Sequence, residues 1–428
     1  MRAPRIATAV LALISTALAL ATAEVVLRFV RTFVSDKPSE FLIPHPILGW
    51  ARAPGARFHF RIDGEPHQVV YNARGFRDLE RTPGAAPEPG ADGGGERVVV
   101  LGDSFMEAFN VPLEASFARQ LETRLRRDRR SAVAVVNLGI SGYGTLQETL
   151  VYQLEARAHA PALVLLAFYL HNDLRDNSLE IESLRRPEGT QATDRPFLLP
   201  GSGWQLTAVE ADRSLARYQA ALARRRSWWW RAGEVSHVWR LTGAAWIESA
   251  LRALEDRHAN QIPDPDPAPA EPLSRRERLA LELDVFSCHP RAEYDRAWDV
   301  TARILAQLAQ AVRADGAELV VFNVPSVYES EPRLPDAGAG DLGCRDAPPG
   351  YARLRGILAD LDVRFIDLLP AFQRHARDRS ESLFASDSHW NAAGHALAAD
   401  EVARRLAELS PRGPSDPRSG PATPGARR

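Results

Sequence analysis

The main pattern along the chain is an alternation of short apolar runs with longer segments in which apolar residues recur every three or four positions. The apolar runs predict strands at 97–101, 132–138, 162–169, 317–324 and 363–368. The amphipathic segments predict helices at 114–128, 145–158, 293–314, 349–360 and 392–408. Strands that are apolar on both sides and alternate with helices are typical of a parallel sheet covered on two faces. We therefore predict an α/β fold with a doubly wound parallel sheet, an α/β/α sandwich.

The strand and helix alternation is confined to residues 96–410, which we predict to be the main domain. Before it, residues 41–82 alternate polar and apolar positions, and they lead into a Pro/Gly/Ala-rich stretch. Residues 41–95 therefore predict a small β-rich extension followed by a loop. Within this region, residues 72–78 predict a turn that docks on the main domain. Residues 411–428 are rich in Pro, Gly, Ser and Arg, and they predict a disordered tail.

Residues 180–292 interrupt the rhythm of the main domain and predict a helical insertion over one end of the sheet. This region carries the run Trp228-Trp229-Trp230. The tryptophans could seat on a bilayer surface, line a groove for an acceptor, or pack inside the insertion itself.

The first 30 residues predict a membrane helix. An uncharged run from Ile6 to Ala23 follows two arginines, Arg2 and Arg5. Positive charge before such a run keeps the amino terminus inside, so the rest of the chain would be exported to the periplasm or the cell exterior. The alternative is a signal peptide cleaved after Ala21-Thr22-Ala23, which would make the protein secreted. A buried helix of a soluble domain is a third reading.

Composition excludes several kinds of chemistry. The net charge of −2 gives no field that would gather nucleic acid. The single lysine, Lys37, lies before the main domain, so that domain holds no P-loop lysine, Schiff base or Ser-Lys dyad. The two cysteines, Cys288 and Cys344, could form one disulfide in an exported domain or be unrelated thiols. Their spacing does not indicate a metal site, and we expect no metal or organic cofactor.

Two glycine-containing motifs follow the first two predicted strands of the main domain. Gly102-Asp103-Ser104-Phe105 comes directly after the first. Ser104 would lie at the start of a helix, at the carboxyl edge of a parallel sheet, where backbone N–H groups favour negative charge. The second motif runs from Asn137 to Gly144, and its glycines, Gly142 among them, would let a backbone N–H approach a ligand closely.

Two polar motifs follow later strands. His171-Asn172-Asp173 ends a long apolar run, and the amide of Asn172 could donate to a developing oxyanion or simply cap a helix. The segment 386–391 contains Asp387 and His389 ahead of the last helix. A histidine beside an aspartate can act as a general base with its orienting carboxylate.

These four motifs resemble the SGNH, or GDSL-type, hydrolase family. Its serine, glycine, asparagine and histidine are matched in order by Ser104, Gly142, Asn172 and His389. The resemblance covers residues 96–180 and 300–408, and it implies a flavodoxin-like SGNH fold with an acyl-serine mechanism. It further implies catalysis by Ser104, His389 and an aspartate, with Gly142 and Asn172 in the oxyanion hole.

One departure from the family pattern concerns the aspartate. The family usually places it three residues before the histidine, where this chain has Ser386, whereas Asp387 is two before. The Asp-x-His-Trp-Asn variant resembles exported relatives in polysaccharide O-acetylation, which also carry an amino-terminal membrane anchor. In an extended segment, residues two apart point the same way, so we expect Asp387 to reach His389.

The function expected from this resemblance is an exported serine esterase that cleaves O-acyl esters, acetyl above all, on carbohydrate. An O-acetyltransferase of the cell-envelope or exopolysaccharide machinery would use the same residues. The alternative from another class is a non-catalytic envelope scaffold. A G-x-S-x-G elbow does not occur in the sequence, which disfavours an α/β-hydrolase.

Overall fold

The computed structural model of the chain describes residues 3–30, 41–63, 66–83, 95–129, 132–185, 195–199, 205–207, 275–331, 344, 347–379 and 381–409. The amino-terminal part of these residues consists of one helix and two hairpins. Helix α1 is Ala3–Val30. The antiparallel hairpins pair β1 (Leu42–His45) with β2 (Gly49–Arg52), and β3 (Arg57–Phe60) with β4 (His67–Val70). The extension predicted before the main domain is thus a pair of short hairpins.

The membrane helix predicted over residues 1–30 is not confirmed. Among the residues that the structure describes, no helix is both long and apolar enough to cross a bilayer.

The main domain is built on one sheet of five parallel strands. They are β5 (Gly95–Leu101), β6 (Ala132–Asn137), β7 (Leu163–Phe168), β8 (Glu318–Asn323) and β9 (Arg364–Ile366). These are the five predicted strands, with bounds that differ by up to two residues from prediction. Their order across the sheet is β9-β8-β7-β5-β6. This is the flavodoxin-like order of a doubly wound sheet, as predicted.

Helices cover both faces of the sheet. The other α-helices of the described residues are, in chain order, α2 (Ser104–Glu107), α3 (Phe117–Arg129), α4 (Thr145–Leu154), α5 (Leu170–Asn177), α6 (Leu179–Arg185), α7 (Arg275–Leu283), α8 (Ala292–Ala314), α9 (Val327–Ser330), α10 (Pro349–Asp360), α11 (Leu369–Asp378) and α12 (Ala392–Leu409). Helices α4, α8 and α10 pack on one face of the sheet, and α3, α11 and α12 pack on the other.

The alternation of side chains along the strands explains the two covered faces. In β5, Val99 and Leu101 belong to the core shared with α4 and α8, whereas Val98 and Val100 belong to the core shared with α3 and α12. All four side chains are fully buried. A strand buried on both sides has no polar face, which is why its sequence is a continuous apolar run.

The order of the strands fixes where a site can form. From β5 the chain adds β6 on one side, and it then adds β7, β8 and β9 on the other. In such sheets the crevice lies at the carboxyl ends of the strands where the direction of addition reverses, here between β5 and β7. Gly102, Asp103 and Ser104 follow β5 at this point.

The insertion predicted for 180–292 is described only at its two ends. These comprise α6, a small antiparallel hairpin of Leu198–Leu199 and Gln205–Leu206, and α7. The Trp228–Trp230 run and residues 411–428 lie outside the described residues. At the carboxyl end of the insertion, Cys288 and Cys344 form a disulfide with a Cα–Cα distance of 4.9 Å. The sequence had left this pairing open.

The turn at residues 72–78 docks the hairpins on the main domain, as predicted. Arg77 is almost fully buried, and its guanidinium donates to the carbonyl oxygens of Ala108 (2.5 Å) and Val111 (2.6 Å), just after α2. Asp78 accepts a hydrogen bond from the backbone N–H of Asn137 at the end of β6 (3.0 Å). Buried charges are tolerated only when paired in this way. The extension is therefore attached beside the ends of β5 and β6.

Candidate active site

Ser104 lies where β5 ends and helix α2 begins. The turn needs Gly102, because a Cβ there would lie 2.4 Å from Cγ of Met106. Asp103 caps the helix by accepting a hydrogen bond from the backbone N–H of Phe105 (2.9 Å). Ser104 is partly exposed, whereas Asp103 and Phe105 are buried. The sharp turn therefore presents the serine hydroxyl at the edge of the sheet.

His389 is brought to Ser104 from the far end of the chain. The distance between His389 Nε2 and Ser104 Oγ is 2.8 Å. The Phe105 ring packs against the imidazole, with 4.9 Å between the ring centroids. This geometry fits a histidine that accepts the serine proton.

Asp387 contacts the other nitrogen of the same ring, but not through an extended segment as expected. His389 Nδ1 lies 3.2 Å from Asp387 Oδ2. Between the two, Ser388 has a φ of +69°, and its N–H donates to the carbonyl oxygen of Ala385 (2.9 Å). The segment is a tight turn, and the left-handed residue folds the aspartate back beside the histidine. The expected contact is therefore present, but the extended conformation invoked for it was wrong.

The pKa values of this pair shift in opposite directions. Burial lowers the pKa of His389, but the adjacent Asp387 carboxylate raises it more, so the net pKa is above its ordinary value of 6.5. Burial raises the pKa of Asp387, and the bond to His389 outweighs this, so the net pKa lies below its ordinary value. Asp387 is therefore ionised near neutral pH and stabilises the imidazolium.

Asn172 lies on α5, after β7, and its amide points towards the turn that contains Asp103 and Ser104. Asn172 Nδ2 donates to Asp103 Oδ2 (2.7 Å). An amide nitrogen carries two hydrogens, so this bond fixes the side chain and leaves a second N–H for a ligand. Burial raises the pKa of Asp103 to about 6, and the bonds from Phe105 and Asn172 oppose that rise.

The neighbouring aspartate, Asp173, contacts the residue just before helix α5. Asp173 Oδ2 accepts the backbone N–H of Tyr169 (2.7 Å), the residue that caps α5. Asp173 and Glu148 are both buried near Asp103, and burial raises the pKa of each well above its ordinary value. Among the described residues, no group of three or more His, Cys, Asp or Glu side chains is arranged to hold a metal ion.

The loop that contains Gly142 lies beside the end of strand β5. Its segment is tied to the end of β5 by a hydrogen bond from the N–H of Ile140 to the carbonyl oxygen of Gly102 (3.1 Å). Gly142 has a φ of +80°, a conformation that strains other residues. The structure thus places Ser104, Asn172, Asp387 and His389 around the carboxyl ends of β5 and β7, and Gly142 in the loop that follows β6.

One buried residue of this region was not foreseen from the sequence. The Glu107 carboxylate, at the end of α2, accepts hydrogen bonds from Arg52 (2.7 and 3.1 Å), Tyr71 and Ser141. Burial raises the pKa of Glu107, but the charge of Arg52 and these hydrogen bonds lower it more, so the net pKa lies below 4.5. The only sequence feature that could have indicated a role for Glu107 is its position three residues after Ser104. Its hydrogen-bond partners are far away in sequence.

A second unforeseen contact connects the two halves of the site. Asn110 Nδ2 donates to the carbonyl oxygen of Trp390 (2.8 Å), and Trp390 Nε1 donates to that of Pro325 (3.0 Å). These bonds fix the residue next to His389 from both sides. They hold the turn that contains His389 against the segment that follows Ser104.

Comparison with known protein families finds a match over part of the chain. The family model of the SGNH hydrolase-like domain of the acetyltransferase AlgX matches residues 288–423, which include Asp387 and His389. No curated protein matches the chain.

Several solved structures are weakly similar to this chain. An acetylxylan esterase, Axe2 from Geobacillus stearothermophilus, has 13% identity, covers 73% of this chain and 94% of its own, and has a TM-score of 0.37. The acetyl xylan esterase AlAXEase has 10% identity, covers 72% and 99%, and has a TM-score of 0.35. TesA has 13% identity, covers 73% and 99%, and has a TM-score of 0.36. At these values the likenesses carry no information about activity.

The four motifs and the match over residues 288–423 show that the chain is similar to SGNH hydrolase-like domains, among them that of an acetyltransferase.

Proposed function

We propose that the protein is a serine esterase that removes O-acyl groups, acetyl above all, from carbohydrate through an acyl-serine intermediate at Ser104. The observation that carries the proposal is the 2.8 Å distance between Ser104 Oγ and His389 Nε2, with Asp387 beside the opposite nitrogen of the ring. A hydroxyl, a base and an orienting carboxylate in this order form a nucleophilic triad.

In the first step, Ser104 Oγ attacks the ester carbonyl and His389 Nε2 takes the serine proton. Asp387 holds the imidazole in the tautomer with its proton on Nδ1 and stabilises the imidazolium that forms. The tetrahedral intermediate collapses when His389 gives its proton to the departing sugar oxygen, which leaves an acyl-serine. Water then attacks the acyl carbon with His389 again as the base. The bond from the acyl carbon to Ser104 Oγ breaks, the carboxylic acid leaves, and His389 returns the proton to Ser104 Oγ.

The negative charge of the tetrahedral intermediate needs hydrogen-bond donors. We assign this role to the backbone N–H groups of Ser104 and Gly142 and to the free hydrogen of the Asn172 amide. The bond from Asn172 to Asp103 supports the assignment, since it holds the amide in place before the charge develops. Donors that are fixed in advance stabilise the transition state without the cost of reorganisation.

The second candidate is an O-acetyltransferase, which the match to the acetyltransferase AlgX domain favours. Acylation of Ser104 is the same in both activities. They differ in whether water or a sugar hydroxyl accepts the acyl group. In this case the protein would act with envelope or exopolysaccharide machinery.

We further propose that the catalytic domain is exported and held at the membrane by residues 1–30. The arginines before the Ile6–Ala23 run support this orientation. The Cys288–Cys344 disulfide also supports it, because disulfides persist in oxidising compartments outside the cytoplasm. Protease treatment of intact spheroplasts tests this point, since digestion of the domain is expected and full protection would contradict export.

The test of function is acetate release from a chromogenic acetyl ester by the purified full-length protein and by its Ser104→Ala variant. Release that depends on Ser104, with no product on added oligosaccharides, supports the esterase. Acetylated oligosaccharide formed at the expense of free acetate supports the transferase. If neither wild-type reaction depends on Ser104, the proposal is wrong.

A further inference from the structure

The amino-terminal hairpin β1–β2 contacts the loop that contains Gly142. Trp50, in β2, donates from its indole Nε1 to the carbonyl oxygen of Ser141 (3.2 Å). Tyr143, on the other side of Gly142, donates from its hydroxyl to the carbonyl oxygen of Trp50 (2.5 Å). The Trp50 ring also lies directly over Gly142, where an added Cβ would be 3.3 Å from the indole. One residue of the extension therefore contacts all three residues of this loop segment.

The bond from Trp50 acts on a particular peptide group. The carbonyl of Ser141 and the N–H of Gly142 belong to the same planar, trans peptide unit, so they point in opposite directions. A donor fixed on the Ser141 oxygen therefore fixes the direction of the Gly142 N–H. Hydrogen bonding to the carbonyl also polarises the unit and strengthens its N–H as a donor.

The preceding peptide unit is held from a second direction. The Ser141 N–H donates to Glu107 Oε2 (2.6 Å), and the Glu107 carboxylate is paired with Arg52 of the same strand β2. The side chains of Glu107 and Arg52 are almost completely buried, with 0% and 2% exposure. Both peptide groups that flank Ser141 are thus anchored to β2, one directly and one through the residue that ends the nucleophile's helix.

We infer that Trp50 is a positioning residue of the oxyanion hole, and that strand β2 of the extension is part of the catalytic unit. Trp50 orients the Gly142 N–H toward the transition-state oxygen, while Arg52 and Glu107 hold the preceding residue. Arg195 also packs over the indole, with its guanidinium carbon 5.1 Å from the ring centroid. The inference rests on the proposed acyl-serine chemistry.

The test is the Trp50→Phe variant of the full-length protein, which keeps an aromatic ring on β2 but removes the indole N–H and the distal ring that contacts Gly142. Loss of a whole oxyanion donor costs about 10²–10³-fold in kcat, so misorientation of one donor is expected to lower kcat by about 10-fold or more. KM should stay within about twofold, because the carbonyl of the bound ester needs the donor less than the transition state does. The rate at which a fluorophosphonate labels Ser104 should fall by the same factor as kcat.

The control is Trp298→Phe. Trp298 is a buried tryptophan of α8 that packs on Phe168 at the end of β7, so its loss tests the effect of a smaller ring in the core. This variant should lose thermal stability but keep wild-type kcat. The apparent pKa of kcat/KM should be unchanged in Trp50→Phe, because the residue does not act through His389.

Tyr143→Phe provides a second variant, which removes only the hydroxyl that holds the Trp50 carbonyl. It should lower kcat in the same direction by a smaller factor. If kcat and Ser104 labelling are within twofold of wild type in both folded variants, the inference is wrong. If wild-type Ser104 reacts neither with the ester nor with the fluorophosphonate, the proposed function itself fails, and the inference fails with it.

Discussion

Replacement of Asn172 by alanine separates two effects that the structure assigns to one side chain. The amide is buried, with 7% exposure, and it bonds to Asp103 Oδ2 at 2.7 Å. We expect the variant to fold, to be less stable and to turn over far more slowly. These effects have different origins, and their sizes can be worked out separately.

The kinetic effect follows from the loss of a donor to the oxyanion. Removal of one such donor costs about 3–4 kcal/mol of transition-state stabilisation, or about 10²–10³-fold in kcat. The stability effect comes from Asp103, whose buried carboxylate loses one hydrogen bond, at a cost of about 1–3 kcal/mol. Burial raises the pKa of Asp103 to about 6 and the Asn172 amide opposes the rise, so the variant should raise this pKa further.

The assay compares kcat, KM and the free energy of unfolding in Asn172→Ala and in a matched control, Asn177→Ala. Asn177 lies on the same helix, is also buried, and bonds to the backbone of Leu146 (3.0 Å) and to Thr301 (3.1 Å). Both variants should lose stability, but only Asn172→Ala should lose kcat. A folded Asn172→Ala protein with kcat close to that of Asn177→Ala would refute the oxyanion assignment.

Three further predictions concern pH and stability. The Asp387 carboxylate raises the pKa of His389 above 6.5, and only the neutral imidazole can accept a proton. We therefore expect kcat/KM to fall as the pH drops through the pKa of His389, which lies above 6.5. In Asp387→Asn this apparent pKa should move down and the plateau should fall, and an unchanged pH profile would contradict the pairing. Reduction of the Cys288–Cys344 disulfide, which spans 56 residues, should lower the free energy of unfolding by about 4 kcal/mol from loop entropy, measured by urea denaturation with and without reductant. The pKa of Glu107 lies below 4.5 in the folded protein, so the ionised carboxylate contributes stability above pH 4.5, and this contribution is lost as the pH falls through the folded-state pKa. The Glu107→Gln variant should therefore unfold at a lower urea concentration near neutral pH. Its free energy of unfolding should also decrease less steeply in acid than that of the wild type.

Much of the fold could be predicted because local and global requirements agree. Strand β7 is apolar throughout, since it is covered on both faces, so the period of its sequence and its burial carry the same information. Helix α8 likewise buries a stripe that includes Ile304, Leu308 and Val312 at helical spacing, and its bounds differ by one residue from the prediction at the amino-terminal end. The parallel order of strands then brings their carboxyl ends, and the motifs that follow them, to one edge.

The contacts that complete the site could not be predicted in this way. Arg52 and Glu107 are 55 positions apart, and neither has a neighbour in sequence that signals the pair. The turn from Ala385 to His389 depends on a left-handed Ser388, which is a conformation that the sequence Ser-Asp-Ser-His does not demand. These features arise from tertiary packing, which outweighs local preference where backbone and buried charge meet.

The central claim is that Ser104 carries the acyl group during turnover. The most direct measurement is the mass of the Ser104-containing peptide after the full-length protein is mixed with an acetyl ester and quenched in acid within one turnover. We expect the added mass of one acetyl group on that peptide, located at Ser104 by fragmentation, and a strong increase in its yield when water attack is slowed. Turnover of the ester with Ser104 unmodified at every time, or equal turnover by Ser104→Ala, would contradict it.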